Sequence, residues 1–309
     1  MIISVTLNPA VDQTAWVDRL DPGSVHRVRE TQIDPAGKGI NVSRMAHRLG
    51  WQTIAFGFLA GDVGSIVRKA LEQEGVPAHF VPVPGQTRIN VTVVEDSGAA
   101  SSFYGPGPAA PPEGLASLEG LVRFWLQAGG VLVLAGSLPS GVPEDTYARL
   151  TRAARERGVK VFLDADGEPL RVGLAAGPSL IKPNVAEAER LLDRSLPDES
   201  AILAGARELV GRGVETVIIS MGGRGAVCAQ DARTWRIHPP DVKRLSTVGS
   251  GDAMVAGIAV ALARGEDLVR GLALGTAAGA ATAMSEGTAL GTADDVAALL
   301  PQVRIEEVS

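Results

Sequence analysis

Residues 131–164 read VLVLAGSLPSGVPEDTYARLTRAARERGVKVFLD. Val131–Ala135 is an unbroken apolar run rich in Val and Leu. A Gly136-Ser137 turn follows, then a helical stretch over Glu144–Arg157, Gly158, and a second apolar run over Val159–Leu163. A strand without polar alternation is buried on both faces, and strands joined through a helical crossover lie parallel. Gly158 suits the left-handed end of the helix. The rhythm extends in both directions. Ile2–Leu7, Thr53–Phe58 and Thr216–Ile219 read as further strands. Ile40–Leu49, Ser65–Glu74, Val185–Leu192, Ala201–Gly211, Asp252–Arg264 and Asp267–Met284 read as helices. The expected fold is α/β, with a mostly parallel central sheet and helices on both faces.

Two segments break the rhythm. Residues 12–35 and 87–107 are strand-rich, with polar alternation as in Thr87-Arg88-Ile89-Asn90-Val91-Thr92-Val93. They read as a small, half-exposed antiparallel sheet, and the Pro- and Gly-rich stretch 105–114 as its return to the body. The expectation is one α/β domain over residues 1–309 carrying a β appendage.

Composition narrows the function. Twenty-nine basic against 35 acidic residues give a formal charge of −6, which offers no basic face for nucleic acid. One cysteine, Cys228, excludes an internal disulfide and fits a reducing compartment. Residues 271–284 are uncharged but too rich in Gly, Ala and Thr for a membrane span. Met1–Thr6 has no basic leader, so a cytoplasmic globular protein is expected. There is no Walker P-loop, no G-x-G-x-x-G after the first strand, no zinc spacing among the four histidines and no G-x-S-x-G elbow. Asp164-Ala165-Asp166-Gly167 begins like a calcium loop, but Pro169 and Ala175 stand where Gly and Glu are required.

The chemistry concentrates in a few turns. Thr247-Val248-Gly249-Ser250-Gly251-Asp252 runs directly into an apolar helix. Free amides in a first helical turn attract anions, and small residues admit a phosphate to the backbone. Asp252 is then either a cap or a general base beside a phosphoryl group. Ala36-Gly37-Lys38-Gly39-Ile40-Asn41 places a cation and an amide at another helix start, or forms an ordinary loop with a solvated lysine. Arg88 and Asn90, two apart on a strand, share a face that suits a phosphate monoester or simply meets solvent. Asn184 and Glu187 offer either water-mediated oxygens for Mg²⁺ or a capping box. Ser220-Met221-Gly222-Gly223-Arg224-Gly225 makes room for a nucleotide or closes a tight hairpin.

Taken in order, these segments, with Leu7-Asn8-Pro9-Ala10-Val11-Asp12 before them and Gly136-Ser137-Leu138-Pro139 between them, resemble the ribokinase-like sugar kinases in the branch that phosphorylates sugar phosphates. The resemblance runs from residue 3 to about residue 300. It implies ATP and Mg²⁺, a β-sheet lid, and a homodimer paired through that lid. It implies Asp252 as the base and the amides of Gly249, Ser250 and Gly251 as the anion hole. Asp12, Gly39, Asn41 and Ser137 would hold the sugar. Lys38, Arg88, Asn90 and, more weakly, Arg27 would hold its phosphate, and Gly37 would also bind substrate. Lys182, Asn184, Ser220, Gly222, Gly225 and Thr247 would line the ATP site, with Asn184 and Glu187 organising Mg²⁺ through water. The implied substrate is a ketohexose phosphate. Ser102, standing where one branch carries a second substrate arginine, favours D-fructose 1-phosphate over fructose 6-phosphate or tagatose 6-phosphate. A non-catalytic sugar-phosphate sensor is the alternative from another class, although a sensor has no use for Asp252.

Overall fold

Apolar runs and amphipathic segments alternate along the chain, and the computed structural model, which describes residues 1–308, turns them into two sheets. The first part comprises β1 (Ile2–Thr6), β2 (Ala10–Val17), β3 (Glu30–Ala36), α1 (Lys38–Arg48), β4 (Thr53–Leu59), α2 (Gly61–Gln73), β5 (Ala78–Pro82), β6 (Arg88–Glu95) and β7 (Ala100–Phe103). The middle comprises α3 (Pro112–Trp125), β8 (Val131–Ala135), α4 (Thr146–Arg155), β9 (Lys160–Asp164), α5 (Gly167–Leu174), β10 (Leu180–Ile181), α6 (Val185–Leu192) and α7 (Glu199–Gly211). Then come β11 (Thr216–Ser220), β12 (Ala226–Gln230), β13 (Arg233–His238), α8 (Ser250–Ala263), α9 (Leu268–Ala283), α10 (Ala293–Leu299) and β14 (Arg304–Val308).

The large sheet has the order β14-β13-β12-β11-β10-β9-β8-β1-β4-β5, parallel from β11 through β5. Every residue of β1, β4 and β8 is buried, as strands covered on both faces require. Their side chains divide by alternation. Leu132 and Leu134 of β8 join one apolar cluster, whereas Val131, Val133 and Ala135 join the cluster on the opposite face. The fold is ribokinase-like α/β, with a large mixed sheet and a small separate one. The parallel expectation covers the centre. It misses the antiparallel edge formed by β12, β13 and β14, where β12 is a short run of small residues and β13 and β14 are interrupted by charged ones.

The small sheet has the order β3-β2-β6-β7 and contains most of the strand-rich segments 12–35 and 87–107. It departs from the antiparallel expectation in its central pair, because β2 and β6 run parallel. The reason is topological. β2 follows β1 and β6 follows β5, and those two strands are parallel members of the large sheet, so both chains leave it by the same edge.

Helix α8 packs on α9 almost without side chains between them. A Cβ at Gly257 would lie 2.6 Å from the Gly275 Cα, and one at Gly275 would lie 2.5 Å from the Met254 carbonyl oxygen. Helix propensity alone predicts that Gly275→Ala stabilises the helix by up to about 1 kcal/mol. The contact predicts the opposite sign, a loss of about 1–3 kcal/mol from overpacking, read as a lower urea midpoint.

Candidate active site

In an open α/β sheet, ligands gather at the carboxyl ends of the parallel strands. Here that edge carries Asn8 after β1, Gly136 and Ser137 after β8, Asp164 at the end of β9, Lys182 after β10 and Ser220 at the end of β11. The start of α8 is among these loops. Gly249 is its N-cap in the left-handed region (φ 76°), and no side chain caps the first turn. The turn is therefore open to an anion. Gly251 carries no Cβ for a specific reason, since one would sit 3.0 Å from the Lys182 Nζ. Lys182 thus lies directly against the first turn of α8.

Asp252 is buried (8% exposed) and its Oδ2 accepts a hydrogen bond from Asn41 Nδ2 at 2.8 Å. The capping expectation is not what Asp252 does, because the residue lies inside the helix and makes no cap. Burial, with the charge of Asp164, pushes its carboxyl up to about 6, against the opposing pull of Lys38, Asn41 and Lys182. Asp164 is the buried counter-charge of both lysines: its oxygens lie 2.8 Å from Lys38 Nζ and 3.5 Å from Lys182 Nζ. Burial alone would raise Asp164; Lys182 and Lys38 overcome it and hold the carboxyl below the ordinary range. Sequence reasoning missed Asp164, having considered it only as the start of a failed calcium loop. The available signal was a carboxylate ending an apolar strand at the ligand-binding edge.

Asp12 and Asn90 face each other across β2 and β6, and Asn90 Nδ2 donates to Asp12 Oδ1 at 2.8 Å. The Arg88 guanidinium donates to the carbonyls of Asn8 (2.9 Å) and Gly105 (3.2 Å). Arg88 Nε, Asn90 Oδ1 and Asn8 Oδ1 are buried without a protein partner, so this cluster retains both donor and acceptor capacity. Ser137 Oγ accepts from Asn8 Nδ2 at 3.2 Å. Lys38, grouped with Arg88 and Asn90 by the sequence reading, points to Asp164 instead. Gly37 and Gly39 pack against Thr6 at the start of α1, and Arg27 is exposed on the loop between β2 and β3.

A cavity of about 610 Å³ opens beside the α8 turn. Its lining includes Asn184, Ser220, Gly222, Gly225, Thr247, Ser250 and Gly251, together with His238 and Arg244, which the sequence reading did not single out. The segment from Ser220 to Gly225 is both things considered for it: it joins antiparallel β11 and β12 and it walls the cavity. Asn184 and Glu187 form the capping box. Asn184 Oδ1 accepts from the Glu187 amide at 2.9 Å and Glu187 Oε2 from the Asn184 amide at 2.8 Å. Among the described residues no three acidic, His or Cys side chains cluster as a metal cage. One half-buried carboxylate on a strand-edge helix fits an ion that retains waters and takes its other ligands from phosphates.

Residues 5–295 match the model of the pfkB family carbohydrate kinases. The chain belongs to the pfkB family. A 1-phosphofructokinase of Bacillus subtilis is 35% identical over 99% of both chains. An ATP-dependent 6-phosphofructokinase isozyme 2 of Mycobacterium tuberculosis is 36% identical over 96% of this chain and 87% of its own. The phosphofructokinase-2 of Escherichia coli, solved with substrates and products, superposes with a TM-score of 0.93 at 32% identity, covering 97% of this chain and 98% of that one. This pfkB member is accordingly a sugar-phosphate kinase, a phosphotransferase, and ATP is the donor its family implies. No helix among the described residues is long and apolar enough to cross a membrane.

The charge arrangement generates a measurable expectation. A carbon-13 titration of the Asp252 carboxyl in the free protein is expected to centre near 6. In Asp164→Asn the midpoint moves down, because a repelling charge is lost and two lysines are released toward Asp252. A midpoint that stays or rises contradicts the arrangement.

Proposed function

We propose that this kinase transfers the γ-phosphoryl group of ATP to the free primary hydroxyl of a ketohexose phosphate, D-fructose 1-phosphate above all, giving fructose 1,6-bisphosphate. The observation that carries the reading is the buried Asp252 in the open first turn of α8, whose Ser250 and Gly251 line the nucleotide-sized cavity. Asp252 accepts the hydroxyl proton as the oxygen attacks phosphorus and ADP departs. Asn41 orients that carboxylate through its 2.8 Å bond. The amides of Gly249, Ser250 and Gly251, reinforced by Lys182, hold the charge that develops on the transferring oxygens. Ser220, Gly222, Gly225 and Thr247 accommodate the nucleotide. Asp12, Gly39, Asn41 and Ser137 bind sugar hydroxyls, while Arg88 and Asn90, with Arg27 within reach on closure, engage the phosphate already present. Lys38 serves the reacting centre through Asp164 rather than joining that phosphate group. Asn184 and Glu187 would hold Mg²⁺ through water, and the ion supplies charge neutralisation on the phosphates. The small sheet acts as a lid that excludes water.

The 1-phosphate preference is supported by the named B. subtilis relative and by Ser102. This residue of β7 bonds the Thr92 hydroxyl at 3.0 Å and offers no guanidinium to the pocket. The M. tuberculosis relative supports 6-phosphofructokinase activity as the second reading, alongside tagatose-6-phosphate kinase. A coupled ADP-release assay with fructose 1-phosphate, fructose 6-phosphate and tagatose 6-phosphate separates them. The highest kcat/KM is expected for fructose 1-phosphate, and preference for another sugar overturns the assignment. Asp252→Asn is expected to bind nucleotide and lose about 10²–10⁴-fold in kcat. Full turnover in that variant removes Asp252 from the role of base.

The lid also carries the reading of a cytoplasmic homodimer. Ile33 (54% exposed) and Phe103 (60%), aligned on one face by the register through Gln13 and Val91, and Val25 (97%) on the loop between β2 and β3 leave exposed apolar side chains there. Sedimentation velocity should find twice the 31.9 kDa chain mass for the wild type and a monomer for Phe103→Glu. A monomeric wild type refutes the pairing.

A further inference from the structure

The lid does more than cover the pocket from above. Asp34 of β3 lies opposite Asp12 in the small sheet, and its Oδ2 accepts two hydrogen bonds. One comes from Gln32 Nε2 at 2.7 Å on the same strand; the other comes from Thr288 Oγ1 at 2.6 Å, 254 residues away in sequence. Thr288 is buried (7% exposed) and belongs to the connection between α9 and α10. The neighbouring Gly287 closes on the same lid strands, since a Cβ there would lie 3.0 Å from Gln32 Oε1 and 3.5 Å from Thr14 Oγ1.

The other end of this connection rests on the phosphate turn. The Leu290 side chain lies 3.1 Å from where a Cβ on Gly249 would be. Arg48 Nη1 of α1 grips the carbonyls of Leu290 (2.6 Å) and Gly291 (3.2 Å), and the Gly291 amide donates to Thr282 Oγ1 at 3.2 Å. Just before the connection, the Ala283 carbonyl accepts from the Leu245 amide at 2.8 Å, at the entry to the 246–252 turn. Residues 285–291 are therefore pinned to the anion-binding turn on one side and to a lid carboxylate on the other.

We propose that this connection is a strut that makes lid position and nucleotide occupancy report on each other, with Thr288 and Asp34 as positioning residues. The inference rests on the reading above that ATP phosphates occupy the Gly249 turn. An anion drawn onto the turn tightens the packing of Leu290 on Gly249, and the Thr288–Asp34 bond carries that constraint into β3. A hydroxyl on a carboxylate is a charge-assisted bond, strong enough to transmit a modest coupling. Because coupling is reciprocal, a closed lid also strengthens nucleotide binding. Enforced closure would keep water from the γ-phosphate whenever the sugar is in place.

Amide hydrogen exchange tests this with a non-hydrolysable ATP analogue and Mg²⁺, with no sugar added. In the wild type the analogue is expected to protect residues 245–252 and to slow exchange in β3 (residues 30–36) about fivefold, the lower end of typical coupling. Thr288→Val keeps the shape and deletes the donor. It should keep the protection at 245–252 and lose most of the response in β3, and Thr288→Ser should restore it. If Thr288→Val does not fold, Asp34→Asn, which removes the acceptor's charge, is expected to weaken the β3 response in the same selective way. An unresponsive β3 in the wild type, or an undiminished response in the folded variant, overturns the strut alone. Absence of protection at 245–252 in the wild type overturns the nucleotide reading and the strut with it.

Discussion

A carboxylate taken out of water must be compensated, and the architecture of this kinase is organised around that requirement. Asp252 is buried in the open first turn of α8, where the backbone already favours negative charge. Two lysines supply the balance. They would overcompensate in turn were it not for Asp164, whose buried oxygens face both ammonium groups. The result is two acids and two bases meeting at the ends of β9, β10, α1 and α8. Burial, with the charge of Asp164, raises the Asp252 carboxyl to about 6 against the pull of the two lysines.

The rest of the molecule delivers those four groups. The apolar stretches Val161–Leu163 and Leu180–Ile181 hold β9 and β10 in register, so Asp164 and Lys182 emerge at one edge. Helix α1 begins at Lys38 and places Asn41 one turn later against Asp252. Strands β2 and β6 leave the same edge, which sets Arg88, Asn90 and Asp12 on one face of the small sheet.

Much of this was legible before any coordinates. The apolar runs announce buried parallel strands, and Gly249-Ser250-Gly251-Asp252 ahead of an apolar run announces the start of α8. The two-residue alternation of residues 87–93 announces a half-exposed sheet. What the sequence could not reveal are relations fixed by tertiary packing. Nothing near Lys38 states that it will meet Asp164, 126 positions later, rather than Arg88. The same holds for Thr288 and Asp34. The β12–β14 edge escaped notice because its strands are short and its outermost pairing is supplied by the far end of the chain. Asn184 and Glu187 show the converse: the capping box that competed with the metal reading is physically present, and a carboxylate satisfied on one oxygen can still face an ion with the other.

The bare contact between Gly257 and Gly275 has an evolutionary corollary. Where two helices touch through main chain, no rotamer remains to be adjusted, so the distance from α9 to α8, and to Asp252 in its first turn, cannot be tuned by exchanging side chains at that contact. The helix pair is rigid there by construction, whereas exposed positions of the small sheet such as Ile33 and Phe103 are open to variation.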